Sequence, residues 1–180
     1  EEVWIGAESG SQQILDAMDK GTKVEQIHEA TRVLKSVGVR VGFFLQFGYI
    51  GEGWGLCAQP DRLVMSNGSS TLTFRDPTDF QPLGTVDVTQ NGLPVPFLNE
   101  LECVDGLVLA NIFRSDLIVV IEPSTGQVVA SVDASQLNAV IDRPSANGAV
   151  LNGIARWTND SLVLGGKWWP QMAVVRLTNG

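Results

Sequence analysis

The chain has 180 residues, 44% of them hydrophobic, and a formal net charge of −8 at pH 7. That is enough apolar material to bury a core in one ordinary domain or two small ones. The charge is spread over both halves without a basic stripe, which argues against a nucleic-acid partner, and no apolar run approaches the roughly 20 residues of a membrane-spanning helix.

The opening EEVWIGAESG lacks a charged-then-apolar leader, so no signal peptide is expected. VWIGAES reads as a short buried parallel strand ending in small polar residues. SQQILDAMDKG places Ile14, Leu15 and Met18 at helical spacing, with Gly21 behind them. Thr22 and Glu25 match a T-x-x-E capping box. The helix it opens has Ile27, Ala30, Val33, Leu34 and Val37 on its apolar face and His28 on its exposed side. Gly38 closes it as a left-handed cap. VRVGFFLQF then resumes as a buried strand. Two parallel strands joined through helices form a βαβ unit, which needs cover on both sheet faces.

From residue 51 the helical periodicity stops. Short strands alternate with turn signals such as SNGSS, RDPTDF, VDG, EPSTG and TNDS. The segment GLCAQPDRLVMSNGSSTLTFRDPTDFQPLGTVDV resembles ELECVDGLVLANIFRSDLIVVIEPSTGQVVASVDA, and the Asp-Pro at 76–77 recurs as Glu-Pro at 122–123. A third copy, GIARWTNDSLVLGGKWWPQMAVVRL, follows an inserted stretch at 136–149 that reads as an excursion with a short helix or turn. Repeats of about 45 residues with about four strands each have the scale of propeller blades. The insertion fits either a surface loop or one wall of a binding face.

Several residues in this half bear on chemistry. Cys57 and Cys103 flank no other ligand-like residue; a bridge between them is possible but no pattern supports it, and both read as buried or half-buried thiols. One His and two Cys in the whole chain make no zinc site, so no metal is expected. Glu100 and Glu102 in LNELE share one strand face, which either points to a central channel or, the commoner case, is a solvated pair. Asn99 could serve a pocket or tie backbone together. Trp168 and Trp169, placed on a strand, point to opposite faces, one to the core and one to the pocket, with core packing expected for at least one of them. Trp157 reads as packing.

The motifs W-I-G-A-E-S-G-S-Q, D-A-M-D-K-G-T and G-F-F-L-Q-F-G-Y resemble the radical S-adenosylmethionine superfamily, especially its cobalamin-associated branch, over residues 1–50. The resemblance implies a βαβ fragment of an α/β barrel. It puts Glu8, Ser9 and Ser11 on the motif that contacts the ribose and amino-acid part of S-adenosylmethionine. Such enzymes hold an iron–sulfur cluster with three cysteines at C-x-x-x-C-x-x-C spacing. This chain has two cysteines, both outside this half. The expectation is a vestigial cofactor site, with Glu8 a strand-end carboxylate that holds no ligand.

Over residues 51–180 a second resemblance is carried by G-E-G-W-G-L, S-N-G-S-S-T-L-T-F-R-D-P, L-N-E-L-E, A-N-I-F, V-L-N-G-I-A and G-G-K-W-W-P. Their order resembles the plant and bacterial type of glutaminyl-peptide cyclotransferase, a five-bladed β-propeller, over about its last three blades. That resemblance implies a mainly β fold: a partial, about three-bladed propeller behind the βαβ fragment. It implies a peptide or protein substrate with N-terminal Gln, cyclised to pyroglutamate with release of ammonia, and no cofactor for this part.

By resemblance, Trp54, Asn99 and Lys167 line the central pocket, as wall or indole donor, amide, and cationic donor. Phe113 stands where the family usually has Trp, and Trp168 is a further substrate-binding candidate. The family's catalytic Glu lies on an earlier blade that this chain does not contain, which leaves Glu52 as the candidate acid. Three blades leave strand edges open, so self-association is expected.

FGYIGEGWGL at 47–56 carries the Gly-Glu common to both families and reads as their junction. The first family is cytoplasmic and the second usually exported, so the halves imply different compartments. The alternatives to a cyclotransferase are a radical-enzyme fragment and a noncatalytic β-rich fusion module.

Overall fold

A computed structural model describes residues 2–17, 21–45, 53–146 and 148–176. They form two compact units, 1–52 and 53–180. Residues 46–52, which include Glu52 and the first part of the junction read at 47–56, and Met18 lie outside the described residues, as does the side chain of Ile14.

In the first unit, β1 (Glu2–Glu8) pairs in parallel with β2 (Arg40–Leu45), from Glu2 opposite Arg40 to Glu8 opposite Leu45. Between them run α1 (Gln12–Ala17) and α2 (Val24–Ser36). The expected capping box is displaced by one residue. Lys23 is the N-cap, and its N–H donates to Gln26 Oε1 at 2.8 Å, so a glutamine rather than Glu25 reaches back. At the other end Gly38, at φ 78°, donates to the Lys35 carbonyl, and Val39 N–H to the Leu34 carbonyl. That six-to-one and five-to-two pairing is the reason the sequence needs glycine there.

Ala7, Leu15 and Ile27 form the small core of this unit. Of the rest of the expected α2 face, Leu34 is half-buried, Ala30 is exposed, and Val33 and Val37 are 48% and 72% exposed. Within this unit Ile27, with Val24 packed beside it, carries the helix's contact with the cluster.

The second unit is mainly β, three antiparallel meanders in chain order. The first consists of β3 (Gly55–Ala58), β4 (Leu63–Ser66), β5 (Thr71–Arg75) and β6 (Pro82–Asp87). A short hairpin follows, β7 (Thr89–Gln90) and β8 (Leu93–Pro94). The second meander is β9 (Leu98–Val104), β10 (Leu107–Ile112), β11 (Leu117–Glu122) and β12 (Gln127–Asp133). The hairpin joins its outer side, with Thr89 parallel to Gln127. The third is β13 (Leu151–Thr158), β14 (Ser161–Gly166) and β15 (Ala173–Arg176). Each sequence repeat has become one sheet.

The sheets stack through alternate residues of their strands. Cys57, Val64, Leu72 and Phe74 of the first meet Leu98, Leu101, Val108, Val119 and Ile121 of the second. The second meander's other face gives Leu109, Ile118 and Val120, which meet Leu151, Ile154, Leu162 and Leu164 of the third. A fully buried aliphatic side chain contributes about 2 kcal/mol. The middle meander is therefore a two-faced layer, buried on both sides, which explains its near-continuous apolar run LIVVI at 117–121.

The repeated Asp-Pro and Glu-Pro open equivalent hairpins. Asp76 Oδ1 accepts from Thr78 N–H at 2.7 Å, and Glu122 Oε1 accepts from Ser124 N–H at 3.2 Å. The Thr78 N–H holds the Asp76 carboxyl below its ordinary value. In both copies the acid and the proline make a turn, each by fixing local backbone.

The two cysteines depart from the expectation of free thiols. Cys57 on β3 and Cys103 on β9 form a disulfide, with Cα atoms 5.5 Å apart. They lie 46 residues apart in sequence and meet because repeats place the first strands of adjacent sheets side by side.

The inserted stretch begins with a 3-10 helix, Ser135–Ala139, and is clamped by one arginine. Arg143 donates from Nε to the Ala149 carbonyl at 2.6 Å, and from Nη1 to Asp116 Oδ1 at 2.6 Å and Asn138 Oδ1 at 2.9 Å.

Candidate functional site

Register decides which ends of the strands meet. Gly55 pairs with Ser66, Leu98 with Ile112, and Leu151 with Gly166. The starts of β3, β9 and β13 therefore lie beside the ends of β4, β10 and β14, at one end of the unit. Trp54 precedes β3, Phe113 follows β10 and Lys167 follows β14, so three sheets each deliver one side chain to that end.

These three come together. The Trp54 and Phe113 rings meet edge to face with centroids 5.3 Å apart. Lys167 Nζ lies 5.7 Å from the Phe113 centroid, and Arg114 approaches the same ring at 5.4 Å. Trp54 is fixed by its N–H to the Ser66 carbonyl at 2.9 Å. Its indole lies flat on Gly68, where a Cβ would come within 2.7 Å of the ring. Lys167 is held by its own N–H to the Val150 carbonyl at 2.9 Å, with its ammonium in solvent. Among the described residues, no carboxylate pairs with it.

Asn99 is buried, at 5% exposure. Its side-chain amide donates to Asn152 Oδ1 on β13, and its carbonyl accepts from Ser66 Oγ on β4 at 2.5 Å. Of the two roles left open by the sequence, these bonds are the tying one: Asn99 joins all three sheets behind the aromatic pair. Asn111 is fully buried and donates to the Leu151 carbonyl at 2.7 Å, while its Oδ1 has no partner among the described residues. Ser66, Asn111 and Asn152 were legible in the motifs S-N-G-S-S, A-N-I-F and V-L-N-G-I-A, but their spacing does not announce a polar seam.

Trp168 and Trp169 lie in a turn after β14, not on a strand. Trp168, at φ 60°, is 70% exposed with its ring over Gly148. Trp169 packs on the second core, and Arg143 sits 5.4 Å from its ring. Trp169 is thus the core ring, and it is the turn rather than strand alternation that separates it from Trp168. Trp157 is 65% exposed and packs little.

Glu100 and Glu102 share a face but are not a solvated pair. Burial pushes the Glu100 carboxyl up to about 7, with the Glu102 charge adding to it. Glu102 Oε1 accepts from the Arg156 N–H at 3.1 Å. Because the folded value lies above the ordinary 4.5, the folded state holds this proton more tightly, and stability falls as pH rises from about 4.5 to 7. Glu100→Gln removes that penalty. The variant is expected to be about 1 kcal/mol more stable than the parent at about pH 8, after discounting for the half-exposed carboxyl, and equal to it near pH 4. Urea melts at the two pH values read the difference; an equal effect at both would put the cause elsewhere than in this proton.

In the first unit, Glu8 ends β1 at φ 59°, Ser9 N–H donates to the Ala7 carbonyl, and Ser11 N–H donates to Ser9 Oγ at 3.1 Å. Ser9 also lines a cavity of about 380 Å³ with Gly10, Ile27, Thr31, Phe43 and the exposed His28.

A family model described as glutamine cyclotransferase matches residues 41–177. The chain belongs to the glutamine cyclotransferase family. The match starts ahead of the boundary read at 51. A glutaminyl-peptide cyclotransferase of Arabidopsis thaliana is 36% identical over 129 residues, which are 70% of this chain and 40% of that protein. The crystal structure of Myxococcus xanthus glutaminyl cyclase superposes with a TM-score of 0.63 at 41% identity, covering 69% of this chain and 57% of the other. The chain thus spans about 40% of the length of its curated cyclotransferase relative.

Proposed function

We propose that residues 53–176 are three blades of a glutamine cyclotransferase propeller, and that their common end is part of a site that cyclises N-terminal Gln. The observation that carries this reading is the convergence of Trp54, Phe113 and Lys167 from three sheets, in a chain that belongs to that family. In the reaction the peptide's α-amine attacks the side-chain carboxamide of its own Gln, a lactam C–N bond forms, and ammonia leaves. Aromatic walls hold the side chain folded back, which supplies proximity. Lys167 stabilises the oxyanion that develops on the carboxamide oxygen. Asn99 positions these groups through the seam. Departing ammonia also needs a proton, and Glu52 is the candidate donor.

The test is mass spectrometry of a C-terminally amidated peptide that begins with Gln. Conversion to pyroglutamate with one ammonia lost is expected, and Lys167→Ala reduces kcat/KM about 100-fold, as loss of one oxyanion donor does. No conversion by a folded sample overturns the reading.

Residues 1–50 we read as the barrel fragment of a radical S-adenosylmethionine enzyme; the parallel β1–β2 pair supports it. Both cysteines of this chain are consumed by their disulfide, so it offers no thiolate to a cluster, and no radical step is assigned. The disulfide also supports an oxidising compartment. Self-association through the outer strands β6 and β15 is a further proposal, supported by the exposed Leu83 and Val174 on them. Gel filtration is expected to give a size that grows with concentration; a constant monomer removes it.

A further inference from the structure

A second cavity, this one in the β unit, adjoins the candidate site and is polar. It has about 620 Å³ and is lined by Arg114, Asn138, Arg143, Ser145 and Val150, among others. Two contacts make it continuous with the aromatic cluster. Arg114 follows Phe113 in the chain and stands over its ring, and Val150 accepts the N–H that positions Lys167. The inserted stretch therefore builds a wall beside Phe113, and the clamp of Arg143 on Asp116, Asn138 and Ala149 keeps that wall in shape.

The two arginines differ in what they have left to bind. Arg143 is neutralised by Asp116 at 2.6 Å, with both side chains 22% exposed. Arg114 is exposed, and among the described residues it makes no hydrogen bond or ion pair; its recorded contact is the Phe113 ring. Its backbone sits at φ 63°, in the left-handed region that a non-glycine residue adopts at a cost. The cavity thus offers one uncommitted cation, in a protein whose net charge is −8.

We propose that this cavity receives the residues that follow the N-terminal Gln of the substrate, and that Arg114 selects for a carboxylate side chain at the second or third position. This deepens the cyclotransferase reading and rests on it for the placement of the first residue. The carboxylate meets the free guanidinium and the hydroxyl of the exposed Ser145 is available to the peptide backbone, while Asn138 is held in the wall by its bonds to Asp116 and Arg143.

The experiment measures binding by isothermal titration calorimetry, so that turnover is not needed. Four C-terminally amidated peptides are compared: Gln-initiated with Glu or with Gln at the second and third positions, and the same two sequences begun with Ala. Amidation removes the terminal carboxylate as a rival source. Wild-type protein is expected to bind the Glu-containing member of each pair about fivefold more tightly, the size of an exposed ion pair, and the preference disappears in Arg114→Gln. A preference for Glu in the Ala-initiated pair, lost in that variant, sustains the inference even where Gln gives no advantage and the cyclotransferase reading fails. Equal binding of Glu and Gln peptides overturns it, including where Gln-initiated peptides are cyclised normally. A preference that survives in Arg114→Gln overturns it as well, as does no binding of any peptide.

Discussion

Replacing Cys57 and Cys103 with alanine lowers the stability of the β unit by about 4 kcal/mol, the loop-closure entropy of a cross-link over 46 residues. The bond joins the first strands of two adjacent sheets, beside a core in which Val64, Leu98 and Val108 are fully buried. It also spans the same two sheets as the Trp54–Phe113 contact. Loss of the bond frees β3 to move against β9, so the two rings separate before the unit unfolds. Thermal melts followed by tryptophan fluorescence are expected to show a midpoint lower by about 15 °C, with a change of emission at temperatures below the main transition. Reduction of the unaltered protein has the same effect. A midpoint that does not move on reduction would show that the stacked cores hold the sheets unaided.

The second large effect is expected at Gly55. A Cβ there would overlap the Asn99 carbonyl and lie 2.8 Å from Glu100 Cα and Leu101 N. All three are backbone atoms of β9, which cannot rotate away as a side-chain tip can. Gly55→Val is therefore expected to cost about 3 kcal/mol by overpacking, and Gly55→Ala about 2 kcal/mol. Gly10→Ala is the control, since a Cβ at Gly10 meets nothing within 4 Å. Because Trp54 precedes Gly55 and Asn99 faces it, the substitution also displaces the aromatic wall from the polar seam. Urea melts of the three variants order the costs; a Gly55→Val protein as stable as Gly10→Ala would mean that β3 and β9 part without penalty.

What could be read from the residues differed with the range of the interaction. Gly38 and the Asp76 and Glu122 turns act within a few positions, and their chemistry is written in adjacent letters. The three repeats were legible because each copies the same order of strands and turns. The α2 face was over-read: Val33 and Val37 keep helical spacing, yet spacing does not say whether anything packs there. The disulfide was missed because neither cysteine has a local partner, and only the stacking of repeats brings them together. Trp168 and Trp169 were misplaced on a strand although Pro170 follows them, and a proline so close is a signal for a turn. At the candidate site, Trp54, Phe113 and Lys167 were named through family motifs. Their convergence follows from register, which no single motif contains.

The hairpin of β7 and β8 has a consequence for how the unit is assembled. By sequence it belongs to the connection between the first two meanders, yet Thr89 is paired with Gln127, on the strand that finishes the second. A nascent chain that has formed the first meander can close this hairpin on itself, Thr89 with Pro94 and Gln90 with Leu93, but its outer edge stays open until the last strand of the next meander arrives. The first two meanders are then expected to fold and unfold as a single cooperative step, because the strap between them is docked only when both exist.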